Sequence, residues 1–351
     1  MDIEKRLELI TRAPIEEVVT VEDLRKLLET KTKITAYDGF ETSGLMHLGT
    51  GITRAIKIND LFEANVNFIL LIADWYAWIN NKMGGNLDMI KKTGEYFVEG
   101  WKACGVDMNK VKIMRASEIV KDSEYWKNVI SISKLTTIQR AIRAGTIMGR
   151  EEGEMQYVAQ AVYPMMQAYD PFYLGADIMQ LGMDQRKAMI LTREVAPKVD
   201  GSIRIAAMHH LLMGLQGNQR MGPAEAKMSK SIAASAIFIH DTKEQIESKI
   251  NSAFCQPKDV EGNPILEIWK YIILRKFKSR TIKRKGKPNL EVQKYEELEK
   301  TFREGDLHPA DLKKETIDAI DEILEPIRNY FEKNKKAKEL YELVKNSVVT
   351  R

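Results

Sequence analysis

The chain has 351 residues, 44% apolar and 30% charged, with a net charge of +4, an ordinary globular balance long enough for two domains or one with insertions. Its longest purely apolar run, Phe68 to Ala73, is far too short to cross a bilayer, and the opening "MDIEKRLELI" lacks the small-residue cleavage site of a signal peptide. Cys104 and Cys255 have no CxxC partner, which excludes a disulfide framework or a zinc site and suits a reducing, cytoplasmic setting without membrane contact.

In chain order, Thr20 followed by Glu22 and Asp23 reads as an N-cap opening a helix through "DLRKLLET". An extended stretch, "ITAYDGF", leads past Gly44 into a helical pattern with Ile52, Ala55, Ile56 and Leu61. The continuous apolar run "NFILLIA" predicts a strand covered on both faces. A long helix from about Leu87 to Gly105 and a second strand, "KVKIMRAS", follow. Strand, helix, strand is the pattern of a parallel α/β sheet, here expected as a Rossmann-like domain. From Tyr125 to Asp170 the pattern is helical, as for an insertion, and "SIRIAAMHH" returns to strand. Beyond Thr242 the chain reads as helix almost throughout. The expected partition is an α/β domain over 1–235, holding a helical insertion at about 120–165, and an all-α domain over 236–351. In the latter, "RKFKSRTIKRKGK" (Arg275 to Lys287) contains no acid and suits phosphate, although a solvated lysine-rich surface would look the same.

Four motifs could carry chemistry. "GFETSGLMHLGTG" is a glycine-punctuated passage from strand to helix, with His47 and Gly49 at the turn. A helix N-terminus offers unpaired N–H groups to an anion, glycine admits a flat ring or phosphate, and His47 can donate to a phosphate oxygen. It is neither a Walker loop nor G-x-G-x-x-G. In "AVYPMMQAYDPFY", Tyr163, Gln167 and Asp170 stand at i, i+4 and i+7 on one helix face. Val162, Met165, Met166 and Phe172 argue that this face is buried, and a buried polar stripe implies a polar pocket. "LGMDQRK" places Gly182 before Asp184 and Gln185, a plausible ribose and polar-ligand set. In "AKMSKS", Lys227 and Lys230 are point charges for a polyphosphate, and Ser229 and Ser231 add hydroxyl donors around Met228.

Together these residues resemble a class I aminoacyl-tRNA synthetase. "HLGT" at 47–50 is similar to that class's first signature, and "KMSKS" at 227–231 matches its second. "YPMMQAYD", "GMDQRK" and the later "LHPADLKKE" resemble the tyrosyl enzymes of archaeal and eukaryotic type, over about residues 18 to 330. The resemblance implies ATP-dependent activation of L-tyrosine and its transfer to tRNA(Tyr), with Mg²⁺ carried on the ATP phosphates and no metal held by the protein. It makes His47, Lys227 and Lys230 the catalytic residues. Tyr37 and Asp170 would hold the substrate phenol, and Tyr163, Gln167 and Gln185 its α-amino end. ATP would meet Gly39, His47, Gly49, Thr50, Gly182, Asp184, Lys227, Met228, Ser229, Lys230 and Ser231. Arg143 and Arg186 would lie by the acceptor stem, His308 and Asp311 by the first anticodon base, and the insertion would form a homodimer interface. A site that hydrogen-bonds a buried hydroxyl rejects the analogue lacking it by roughly 10⁴ to 10⁵, so no editing domain is required.

Three departures stand out. Thr50 replaces the second histidine of the first signature, Tyr76 stands where the family usually has histidine, and "KRKGKPNLEV" lacks the aromatic that stacks on the anticodon. The rival readings are a tryptophanyl enzyme, which has no use for an acid facing a phenol, a small-molecule nucleotidyltransferase, which is generally shorter, and a catalytically silent RNA-binding relative.

Overall fold

The computed structural model describes residues 1–149, 152–217, 228 and 233–347. Helix α1 (Ile3–Thr11) and strand β1 (Ile15–Val19) come first. Helix α2 (Val21–Thr30) starts as expected at Thr20, whose side chain accepts from the Asp23 amide at 3.0 Å, with Glu22 and Asp23 at the positive end of the helix dipole. β2 (Ile34–Phe40) runs through a loop into a wide turn, Gly49–Thr53, that continues as α3 (Arg54–Glu63). β3 (Val66–Ile72), α4 (Asp74–Ile79), α5 (Leu87–Ala103) and β4 (Val111–Arg115) follow. The helical stretch is α6 (Ala116–Ile119), α7 (Ser123–Leu135), α8 (Ile138–Gly145) and α9 (Val158–Tyr173). β5 (Ile178–Gly182), α10 (Arg186–Val199) and β6 (Ile205–His209) return to the sheet.

The six strands pair in the order β1-β6-β5-β2-β3-β4, all parallel except β1 against β6. The "NFILLIA" run shows why a strand can be apolar at nearly every position. Phe68, Leu70 and Ile72 pack into the layer of α1, α2, α3 and α5, while Ile69 and Leu71 face α4 and α6 to α10. Two strands escaped the sequence reading. "IEEVV" (β1) carries two acids and is only half buried, as an edge strand can be, and "IMQLG" (β5) is a short, wholly buried run broken by a glutamine.

The strand order reverses between β5 and β2. In an open α/β sheet the ligand crevice lies beyond the C-terminal strand ends at such a switch point. Here it falls between "ETSGLMHLG", which follows β2, and "MDQ", which follows β5.

After the sheet come α11 (Lys243–Ser252), α12 (Pro264–Ile268) and α13 (Leu274–Lys276). The basic run then differs from the all-α expectation. It forms a hairpin, β7 (Arg280–Ile282) with β8 (Leu290–Val292), turning near Gly286 at φ +73°. Only Ile282 and Val292 are fully buried, with Leu290 half-buried beside them, so the apolar alternation is too sparse to show among the lysines. α14 (Tyr295–Glu304), α15 (Pro309–Lys333) and α16 (Lys335–Lys345) complete the chain. These helices share one buried apolar cluster with α1 to α3 and α5. The seam is also polar: Arg275 and Arg12 converge on Asp60 of α3 at 2.7 and 2.5 Å, and Tyr330 donates to Glu99 at 2.5 Å. No described helix is long and apolar enough to cross a membrane.

Candidate active site at the ends of β2 and β5

His47 sits in the turn leading into α3. Its backbone N–H donates to Thr50 Oγ1 at 3.0 Å, and the Gly49 amide donates to its Nδ1 at 3.1 Å. A Cβ on Gly49 would lie 3.0 Å from His47 Cε1, so glycine here first of all accommodates the histidine ring itself. Leu48 donates to Ile237 and Ile239 donates to Met46, both backbone to backbone at 2.9 and 3.0 Å, so residues 46–48 lie in a short ladder with 237–239. Met228 is buried and donates its amide to Leu212 O at 2.7 Å. Lys227, Ser229, Lys230 and Ser231 lie outside the described residues. Across the crevice, a Cβ on Gly182 would strike the Asp184 carboxylate and come within 3.0 Å of the Leu211 side chain, so a larger residue there would have to displace both. Gly39 lies on β2 beside these turns.

Beneath these turns is a buried polar knot that the sequence did not reveal. Asp38 of β2 pairs with Arg54 Nη1 at 3.3 Å, Arg54 also meets His209 Nδ1, and Gln180 Nε2 is 3.2 Å from the same nitrogen. Burial pushes the Asp38 carboxyl up to about 7, with the Arg54 charge pulling it back. Burial and then Arg54 hold His209 well below its ordinary value, so its ring is neutral. Asp38, Arg54, Gln180 and His209 belonged to no motif, because the four positions meet only through strand pairing and the α3 turn.

The polar stripe of α9 is buried, and the structure supplies its partners. Tyr163 Oη donates to Glu41 Oε1 at 2.7 Å, and Gln167 Nε2 donates to Gln185 Oε1 at 3.1 Å. Gln185 Nε2 is held in turn by Ile147 O at 3.0 Å. Asp170 accepts from Tyr76 Oη at 2.6 Å and from Tyr125 Oη at 2.9 Å. Tyr37, also buried, brings its hydroxyl to the same end with no hydrogen-bond partner among the described residues. Burial drives the Asp170 carboxyl up to about 7 although both phenol bonds pull the other way. The Tyr76 ring meets the Tyr163 ring edge-on at 4.8 Å, joining the two ends of the pocket. Sequence reasoning missed Glu41 and Tyr125. A carboxylate just past a strand end was a usable signal for Glu41, while Tyr125 lies among ordinary helix residues with none.

Arg143 is exposed on α8. Arg186, at the start of α10, is exposed but clasped by Glu17 through two 2.8 Å bonds. His308 caps α15 through Nδ1, and Asp311 accepts from the Lys285 amide at 3.3 Å, which sets both beside the basic hairpin. Among the described residues no group of His, Cys, Asp and Glu is arranged to hold a metal ion.

The family model for class I tRNA synthetases (W and Y) matches residues 29–325. The tyrosine–tRNA ligase of Saccharolobus solfataricus is 46% identical over 363 residues, covering 99% of this chain and 98% of its own. That of Thermococcus sibiricus is 44% identical over 378 residues and covers both chains fully (100% each). The crystal structure of tyrosyl-tRNA synthetase complexed with L-tyrosine from Pyrococcus horikoshii superimposes with a TM-score of 0.91 at 40% identity, over 97% of this chain and 100% of that one.

Proposed function

The chain belongs to the class I tRNA synthetases that serve tryptophan and tyrosine and carries out the tyrosine–tRNA ligase reaction, and we propose that the crevice between β2 and β5 is where it does so. The observation that carries this assignment is the meeting, at one switch point, of the His47 turn, the Gly182–Asp184 turn and the buried stripe of α9. The substrate phenol would lie between Tyr37 and Asp170, and its ammonium among Tyr163, Gln167, Gln185 and Glu41. ATP, carrying Mg²⁺ on its phosphates, would lie over Gly39, Gly49, Thr50, Gly182 and Asp184.

The chemistry needs little from a general base. The tyrosine carboxylate is ionised at neutral pH, so its oxygen attacks the α-phosphorus directly and pyrophosphate leaves with the P–O bonding pair. Charge then builds on phosphoryl oxygens, and His47 with Lys227, Lys230, Ser229 and Ser231 would stabilise it electrostatically. In the second step a hydroxyl of the tRNA's terminal adenosine attacks the carbonyl carbon and AMP leaves. Arg143 and Arg186 would serve the acceptor stem, with Arg186 exchanging Glu17 for phosphate. The region 236–351 would take the anticodon arm at His308 and Asp311, where the hairpin's lysines add attraction for phosphate. Of the ten exposed large apolar side chains among the described residues, five (Ile130, Leu135, Ile138, Tyr157 and Val158) lie in the helical insertion, which supports a homodimer through that surface.

Pyrophosphate exchange into ATP tests the reading. It should depend on tyrosine and not on tryptophan, and the reverse dependence would overturn it.

A further inference from the structure

Asp170 is a carboxylate in an apolar well, 2% exposed, and no cation influences its titration among the described residues. An ionised group there must be held by donors. It has two, both phenols from other elements, with Tyr76 on Oδ2 and Tyr125 on Oδ1, and their hydroxyls stand 3.3 Å apart. The ionisable groups facing it are Tyr76 from α4, Tyr125 from α7, Tyr37 from β2 and Tyr163 on its own helix. Among the described residues Tyr37, unlike Tyr76 and Tyr125, has a hydroxyl with nothing to bond, and burying such a group is costly.

We propose that Tyr76 is a specificity-determining residue of the tyrosine site: its hydroxyl holds one oxygen of Asp170, keeps the carboxyl an acceptor, and so leaves a slot that only a ligand bringing its own phenol can bridge to Tyr37. This rests on the reading of the pocket given above. A carboxylate oxygen has lone pairs for two donors, so each Asp170 oxygen can take one bond beyond those it already makes. The incoming phenol would donate to Asp170 and accept from Tyr37. Phenylalanine would satisfy neither group. Tyr76 is well placed to set this geometry because α4 is itself pinned. Asp74 at its start accepts from the Ser117 amide at 2.8 Å and from Ser117 Oγ at 2.6 Å. A Tyr76 ring held from below, and meeting Tyr163 edge-on, fixes the pocket's depth.

The test is Tyr76→Phe in the full chain, assayed by pyrophosphate exchange with tyrosine and with phenylalanine on both sides of neutral pH. Removing a bond to the ionised carboxyl should lower kcat/KM for tyrosine on the order of tenfold, through KM, and narrow the tyrosine-to-phenylalanine ratio by a similar factor. The acid limb of kcat/KM for tyrosine should move to higher pH by about one unit, because the lost donor favoured the ionised form. The KM for ATP should stay within about twofold, since that substrate does not reach the phenol end. Tyr125→Phe, assayed in parallel, should move the same three quantities in the same direction. An unchanged acid limb and an unchanged ratio in Tyr76→Phe would overturn the proposal, as would an equal rise in the KM for ATP. Asp170→Asn separates the two levels of inference. If that variant keeps the wild-type ratio, the reading of the pocket fails, whereas if it collapses the ratio and Tyr76→Phe does not, only the role of Tyr76 fails.

Discussion

Replacing Asp170 by asparagine should make this protein more stable at alkaline pH while disabling it. The Asp170 carboxyl, ordinarily near 3.8, is raised to about 7 in the fold because burial disfavours its charge more than two phenol bonds favour it. At ~1.4 kcal/mol per pH unit, the native state bears about 4 kcal/mol for ionising this group, relative to the unfolded chain. The sign follows from proton counts. Between about pH 4 and pH 7 the native protein keeps a proton that the unfolded chain releases, so this group's contribution to stability falls as pH rises through that window and is level above it. Asparagine nearly matches the shape of aspartate and never ionises; one of the two phenols can still donate to its carbonyl oxygen, while the other meets the amide NH2 and must accept instead. Denaturant unfolding across that range should therefore show the variant ahead of wild type at about pH 8, by up to about 4 kcal/mol less whatever an amide loses between two phenols. The gap should close toward about pH 4, where both side chains are neutral in both states. A gap that does not vary with pH, or a variant less stable than wild type at alkaline pH, would refute the account of Asp170 as a buried acid bearing its own desolvation.

Two further outcomes follow from close contacts. Gly49→Ala would set a methyl 3.0 Å from His47 Cε1 and 3.2 Å from Nδ1. With the ring displaced, exchange should slow on the order of 10²-fold while tyrosine binding, followed by quenching of intrinsic fluorescence, stays intact; an equal loss of tyrosine binding would show that the turn supports the whole pocket. Asp60→Asn would leave Arg12, Arg275 and the fully buried Lys57 around a neutral amide. Unfolding should become easier by about 3–5 kcal/mol, and a loss under about 1 kcal/mol would mean that the three cations find other acceptors.

What could be read from the sequence was what lies close along the chain. The Thr20 cap, the doubly covered strand at 66–72 and the i, i+4, i+7 stripe of α9 each depend on neighbours within a few turns, and all three are present in the fold. What could not be read lies between elements. Glu41 and Tyr125 reach the stripe from a strand-end loop and a helix, and no local pattern announces their meeting with it; Gln185 and Tyr76 were set near it only by resemblance. β1 was missed because two acids sit in it and β5 because a glutamine breaks its short apolar run, and the basic hairpin because lysines dilute its few apolar residues. Gly49 is the instructive case. Clearance for a ligand was the natural reading of a glycine in that turn, and part of the clearance is taken by the neighbouring histidine.

The same shift of meaning applies to the next glycine. A Cβ on Gly51 would lie 2.7 Å from Ile239 Cγ2, and one on Gly100 of α5 would collide with the Met46 sulfur and approach Ile239 Cδ1 at 3.6 Å. Met46 and Ile239 are the two residues joined by the ladder between 46–48 and 237–239. The wide turn and α5 thus pack against the side chains of that ladder so closely that a methyl at either glycine would have to displace Ile239 or Met46, and the backbone carrying His47 is hydrogen-bonded to residues 237–239, beyond the lysine-serine motif. Electrostatic stabilisation of a phosphoryl group depends on donors already fixed in place, since each misplacement of about 1 Å costs orders of magnitude. For the site proposed above, a ladder packed against glycine would supply that fixity beside His47. In that site Gly51 would therefore serve the ligand only indirectly, by holding the first signature to the segment that follows the second.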